Sequence, residues 1–276
     1  MYLPEILHYT FFQNALWGSL LVSICCGILG TYIVTRRLVF ISGGITHASF
    51  GGLGLGFYAG INPILTAIVF AILSAFGVQW MSHKQSIRED SAIAVVWALG
   101  MATGIIFIFM SPGFTPSLTE YLFGNILTIT HTDLIYFGLF SVLLIIYSYL
   151  FQRQIVYVAF DREFAQVRHL PVQFIESCML ILIAVCIVLT IRMIGIVLLM
   201  SVLTLPQMIA GIYYNDYRKI MYGSVVFCLI ACIGGLFASY WLNVPTGACI
   251  VFLLTLIYSI LRLTHSFQSK SEQKKQ

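Results

Sequence analysis

Long apolar runs, separated by short polar breaks, constrain the fold of this chain more than any other feature. A bilayer core about 30 Å thick needs roughly 20 apolar residues per crossing helix, and nine runs approach or reach that length. They cover residues 14–35, 44–60, 62–82, 90–110, 132–151, 174–191, 194–213, 220–241 and 244–262. Because runs without alternation favour helices over strands, we predict an all-α, polytopic membrane helix bundle with about nine transmembrane helices. Eight is the alternative count.

The composition excludes several classes of protein. Only 9% of the 276 residues are charged, whereas soluble domains average about 25%. The chain therefore lacks the charge of a soluble fold, a disordered chain or a nucleic-acid-binding surface, and most of it must contact lipid. Its seven cysteines lie in apolar runs without a Cys-x-x-Cys pair, so we predict that they pack as small apolar side chains. A metal-ligating role stays open for Cys228 and Cys232, which share a helix face.

The distribution of Lys and Arg predicts the orientation of the bundle, because basic residues concentrate in cytoplasmic loops. If the first run crosses from outside to inside, Arg192 alone of the 14 basic residues falls outside. We therefore predict an extracytoplasmic amino terminus and a cytoplasmic carboxyl terminus. Residues 1–265 form a single transmembrane domain in this scheme, and 266–276 form a polar cytoplasmic tail.

Glycine and proline mark the expected irregularities of the bundle. The second run, 44–60, is short and glycine-rich, so a discontinuous or re-entrant helix is an alternative to a continuous one there. Glycines four residues apart, such as Gly100 and Gly104, predict close approach of helix backbones. Pro206 lies inside the seventh run and predicts a kink or a break.

His47 is the one ionisable residue well inside an apolar run, and such a residue is a functional candidate by default. Neutral imidazole is also the commonest metal ligand among side chains. Two interpretations stay open, contact with a metal or substrate and a hydrogen bond to a carbonyl in a packed bundle. The chain has no P-loop, G-x-S-x-G or H-E-x-x-H motif and no paired intramembrane carboxylates. We therefore predict that it is not an enzyme and holds no permanent cofactor.

The segment 161–171 is a second candidate site. It mixes charged residues with Phe164, Ala165 and Leu170, which fits a short amphipathic helix capped by Asp161. Its charges balance, whereas an interfacial helix on anionic lipid favours Lys and Arg. We therefore favour insertion into a protein partner, with a lipid surface as the alternative.

Six short segments of the chain follow one another in an order and at a spacing that are typical of a known family. They are GILGTYIVTRR (27–37), THA (46–48), YLFGNIL (121–127), DREFA (161–165), GIVLLMS (195–201) and PTG (245–247). Together they resemble the transmembrane permeases of ATP-binding-cassette importers for zinc, manganese and iron(II). The resemblance covers about residues 15–262 and implies ATP-driven import of a divalent metal ion by alternating access.

The resemblance also implies partners and site residues. It implies a homodimeric channel in the bacterial inner membrane, docked on cytoplasmic ATPase subunits and loaded by an extracytoplasmic metal-binding protein. His47, with Thr46 beside it, is implied to lie on the ion path. The residues implied to couple the permease to the ATPase are Asp161, Glu163, Phe164 and Ala165.

Two positions depart from the pattern of that family. Gly43 stands where the family has an Asp, four residues before the His, and a carboxylate is thereby lost. Since Mn²⁺ prefers oxygen ligands and imidazole suits Zn²⁺, zinc is the favoured cargo. His169 stands where the family tends to have Gly at the end of the coupling turn. An ABC permease for metal chelates and a secondary transporter without an ATPase remain the alternatives.

Overall fold

The computed structural model describes residues 8–84, 87–111, 122–124 and 129–273. These ranges contain helices and short connections and no strand. The helices are α1 Thr10–Thr35, α2 Val39–Ala59, α3 Pro63–Lys84, α4 Glu89–Met110, α5 His131–Leu150, α6 Gln152–Phe160, α7 Arg162–Val167, α8 Val172–Ile194, α9 Ile196–Val202, α10 Leu205–Tyr213, α11 Tyr217–Leu242 and α12 Thr246–Gln273. The predicted all-α bundle is confirmed.

Eight segments of the described chain are long and apolar enough to cross a membrane. They are Thr10–Thr35, Pro63–Ser82, Glu89–Met110, His131–Leu150, Val172–Ile194, Ile196–Tyr213, Tyr217–Leu242 and Thr246–Ser266. The α2 helix, with 21 residues, is long enough but less apolar because it contains Gly, Ser, Thr and His. Each of the nine predicted runs thus corresponds to helical structure, and eight is the number of strongly apolar spans. The orientation of the bundle stays a prediction.

The α1 and α8 helices form the centre of the bundle. Most of each helix is buried, and a helix that is apolar on all sides packs among other helices. Among the largest fully buried side chains, Leu29 and Ile33 belong to α1, and Ile183 and Ile187 belong to α8. The α8 helix contacts α1, α2, α3 and α5. The α8 helix therefore packs against four of the helices that precede it in the chain.

The glycine-rich second run forms one continuous helix, α2, so the alternative of a discontinuous helix is wrong. A Cβ atom added at Gly52 would lie 2.5 Å from the carbonyl oxygen of Thr66 in α3. A Cβ atom added at Gly104 of α4 would lie 2.6 Å from the carbonyl oxygen of Phe50 in α2. The backbones of α2, α3 and α4 therefore touch, and the predicted small-residue packing is confirmed. This packing offsets the low intrinsic helix propensity of glycine.

The seventh predicted run is separated from the sixth at Gly195 and is itself divided just before Pro206. Gly195 separates α8 from α9 with φ +90° and ψ 158°, a conformation essentially restricted to glycine. Pro206 lies in the first turn of α10, where the missing N–H has no helical partner to lose. The predicted break at Pro206 is confirmed. At the other end of the chain, α12 continues through the predicted polar tail as far as Gln273.

Three glycines far apart in sequence meet at the α8–α9 break. A Cβ atom added at Gly195 would lie 2.5 Å from the amide nitrogen of Gly124, and one added at Gly247 would lie 2.9 Å from the carbonyl oxygen of Phe123. These glycines belong to three of the six segments that carry the family resemblance. Larger side chains would separate the backbones that meet here.

Candidate translocation site and coupling segment

His47 lies in the middle of α2 and is half-buried. The indole ring of Trp97, from α4, is stacked on the imidazole with ring centroids 4.1 Å apart and planes 4° apart. The buried Nδ1 atom has no hydrogen-bond partner within the part of the chain that the structure describes. A stacked ring holds the imidazole by its face and leaves the nitrogens at its edge free of that contact. Within the described residues the Nδ1 atom thus has no competing hydrogen bond, and a role for His47 on the ion path stays a prediction.

Thr46 occupies a different environment from its neighbour. It is fully buried, and its hydroxyl donates a hydrogen bond to the carbonyl oxygen of Ser42 at 2.7 Å. Successive residues of a helix point about 100° apart, so the Thr46 hydroxyl and the His47 imidazole do not share a face. A role for Thr46 on the ion path stays a prediction.

The cysteines pack inside the bundle. All seven are free thiols and six of them are buried, among them Cys228 and Cys232. No group of three or more His, Cys, Asp or Glu residues could hold a metal ion in the described ranges. The burial of six of the seven cysteines agrees with their predicted role as small apolar packing residues.

The α7 helix carries the predicted coupling residues. Asp161 is its N-cap, and the carboxylate accepts a hydrogen bond from the N–H of Phe164 at 2.9 Å. Glu163 and Phe164 are exposed, whereas Ala165 is completely buried. Ala165 therefore packs α7 against the bundle. Glu163 and Phe164 are accessible from outside, and the Phe164 ring lies edge-on to Tyr157 of α6 with centroids 5.8 Å apart. The coupling role of the four residues stays a prediction.

The backbone conformation of the turn that follows α7 explains why the family tends to have glycine at position 169. His169 has φ +55°, and the N–H of Leu170 closes the helix by donating to the carbonyl oxygen of Ala165 at 3.1 Å. Glycine adopts this left-handed conformation without steric cost, and His is among the residues that adopt it more often than most. Compared with the glycine of the family, His169 therefore adds a side chain at this turn while the backbone keeps the same left-handed conformation.

An ion cluster that the sequence did not reveal anchors α7 to the bundle. The carboxylate of Glu176, near the start of α8, accepts a hydrogen bond from Arg36 at 2.5 Å and lies 3.3 Å from Nε of Arg162. Arg36 follows α1 and Arg162 begins α7, so one buried carboxylate joins the ends of three helices. The cluster borders a cavity of about 310 Å³. The only sequence signal was the position of Glu176 at the end of an apolar run.

A second ion pair lies at the other end of α8. Nη1 of Arg192 is 2.6 Å from Oδ1 of Asp133 in α5. Asp133 also forms a reciprocal capping box with Thr130 at the start of that helix. The pair neutralises the one basic residue that the predicted orientation places outside.

The sequence model of the ABC 3 transport family matches residues 8–264. The chain belongs to this family. The match contains all the helices described above except the last turns of α12, which lie beyond residue 264. The family resemblance predicted from the six segments is confirmed.

Relatives and one solved structure show the same similarity along nearly the whole chain. A Chlamydia pneumoniae protein named "Probable metal transport system membrane protein" is 37% identical over 248 residues, covering 88% of this chain and 85% of its own. The manganese transport system membrane protein MntC of Halalkalibacterium halodurans is 29% identical over 262 residues, covering 94% and 89%. A chain of PsaBC from Streptococcus pneumoniae, solved with a Fab, superposes with a TM-score of 0.86 at 28% identity, covering 94% and 93%.

Family membership defines what the chain is in the cell. It is the multi-pass permease subunit of a metal ABC transporter in the bacterial inner membrane. It is a transport subunit and not an enzyme, and ATP hydrolysis belongs to a partner chain. The alternative of a secondary transporter without an ATPase is excluded.

Proposed function

We propose that this permease imports a divalent metal ion and that zinc is its preferred cargo. The observation that carries the proposal is the His47 imidazole, half-buried in the middle of α2 with an unpartnered Nδ1 atom. A transported ion needs ligands that bind it weakly enough for release. Imidazole suits Zn²⁺, whereas Mn²⁺ prefers oxygen ligands, and α2 contains no carboxylate.

The transport cycle that we propose is alternating access in a homodimer of this chain. An extracytoplasmic metal-binding protein delivers the ion, and ATPase subunits bound at α7 close when they bind ATP. The movement passes from α7 through the Arg162–Glu176 contact to α8. Because α8 contacts α2, this route reaches the helix that carries His47.

Manganese is the second candidate cargo. The relative from Halalkalibacterium halodurans is named as part of a manganese transport system. A site that carries manganese would need oxygen ligands, and backbone carbonyls or a second copy of the chain would have to supply them.

Metal uptake by cells that express the complete transporter tests the proposal. His47→Ala removes the imidazole, and we expect zinc uptake at limiting zinc to fall about tenfold, the effect of losing about 1.4 kcal/mol of binding. The amount of chain in the membrane should not change. The matched control is His131→Ala, which alters an exposed histidine at the start of α5 and should leave uptake unchanged.

Three other results would contradict parts of the proposal. Unchanged zinc uptake by His47→Ala cells would remove His47 from the path. Uptake of manganese but not zinc by the unaltered transporter would make manganese the cargo. A requirement for an added chelator would indicate the metal-chelate permease that the sequence left as an alternative.

A further inference from the structure

The space beside Gly43 in α2 is occupied by a methionine from another part of the chain. A Cβ atom added at Gly43 would lie 2.5 Å from Sδ and 2.6 Å from Cε of Met200. Met200 belongs to α9, the short helix that follows the break at Gly195. The absence of a side chain at Gly43 is therefore what admits the thioether to the surface of α2.

The thioether lies on the same face of α2 as the imidazole. Gly43 and His47 are four residues apart, and residues with this spacing are neighbours about 5–6 Å apart on a helix surface. Met200 and His47 are both half-buried, so neither side chain is sealed in the core. Trp97 covers one face of the imidazole and leaves its edge for contacts of this kind.

We propose that Met200 is a specificity-determining residue of the translocation site and presents its sulfur to the passing ion alongside His47. The inference rests on the proposed function, since it requires His47 to contact the cargo. Neither α2 nor α9 contains an Asp or Glu, so these helices offer imidazole nitrogen and thioether sulfur with no carboxylate oxygen. Sulfur ligands favour soft and borderline ions such as Cu⁺ and Zn²⁺, and carboxylates favour Mn²⁺. Met200 thereby biases the site against manganese.

Met200→Leu tests the inference because it keeps the volume of the side chain and removes the sulfur. Uptake of radioactive zinc and radioactive manganese is measured separately in cells that express the complete transporter. We expect zinc uptake at limiting zinc to fall about threefold to tenfold with little change for manganese, as expected for one weak ligand. Met208→Leu, on α10, is the matched control for the same exchange at an exposed methionine and should change neither rate.

A double variant tests the inference in the opposite direction. Gly43→Asp alone places a side chain where Met200 lies and should reduce uptake of both ions. Gly43→Asp combined with Met200→Ala makes room for the carboxylate, and we expect it to raise the ratio of manganese uptake to zinc uptake about tenfold. An unchanged ratio in the double variant, with normal amounts of chain in the membrane, would overturn the inference.

The two proposals fail in different ways. If His47→Ala lowers zinc uptake as expected while Met200→Leu leaves the ratio of zinc to manganese uptake unchanged, Met200 is only a packing residue and the proposed function stands. If His47→Ala has no effect either, the proposed site itself is wrong.

Discussion

The buried carboxylate of Glu176 pairs with two arginines and thereby stabilises the structure. Its side chain is 8% exposed and lies against Arg36 and Arg162. Glu176→Gln leaves two guanidinium groups facing each other without a carboxylate, and we expect a loss of roughly 2 kcal/mol of stability, as for hydrogen bonds to charged groups. The apparent melting temperature of the detergent-solubilised chain should fall measurably. Asp90→Asn is the control, because its exposed pair with Arg88, at 3.7 Å, contributes little. Equal melting temperatures for the two variants would contradict the anchoring role of Glu176.

At the scale of single residues, the sequence predicted the candidate His47 but not the contacts that it makes. His47 was predictable because an ionisable group in an apolar run is costly and rare. Its stacking on Trp97 was not, because no local pattern pairs residues 50 positions apart. The hydrogen bond between Arg36 and Glu176 joins residues 140 positions apart, and helix packing alone brings them together.

At the scale of helices, the contact of α4 with α2 depends on the lack of a side chain at Gly100. A Cβ atom added there would lie 2.8 Å from the carbonyl oxygen of Ala48. Alanine raises helix propensity by about 1 kcal/mol, but overpacking against backbone costs roughly 1–3 kcal/mol. We therefore expect Gly100→Ala to lower the apparent melting temperature of the chain in detergent. Gly77→Ala, in α3, meets no atom within 4 Å and should raise it slightly. A higher melting temperature for Gly100→Ala would show that the helices can separate without cost.

The positions of helices were more predictable than their continuity. Lipid offers no partner for backbone N–H and C=O groups, so long apolar runs must become helices. Hydropathy could not show that α2 is continuous, because its glycines lower both hydropathy and helix propensity. The contacts of those glycines with α3 and α4 supply the missing stability, and such contacts become visible only in three dimensions.

For the molecule as a whole, the central question is how ATP hydrolysis on a partner chain moves the helices that carry the ion. Two contacts attach the α7 helix to the bundle, the buried Ala165 on its inner face and the Arg162–Glu176 contact at its first residue, whereas Asp161 caps the helix itself. Its outer face presents apolar side chains, with Phe164 42% and Val167 77% exposed. A segment this firmly attached can move as one body with α8.

Phe164→Asp tests whether that outer face binds the ATPase. Burial of a phenylalanine at an interface contributes about 1.5–3 kcal/mol, so the change to a carboxylate should weaken binding of the ATPase at least about tenfold. We expect the ATPase to be lost when the chain is purified from cells that express both, and metal uptake to fall with it. Phe160→Asp is the control, because it makes the same exchange at an exposed ring that belongs to α6 and not to α7, and it should leave the ATPase bound. Retention of the ATPase by the Phe164→Asp variant would move the docking surface away from α7 and cut the route from ATP to His47.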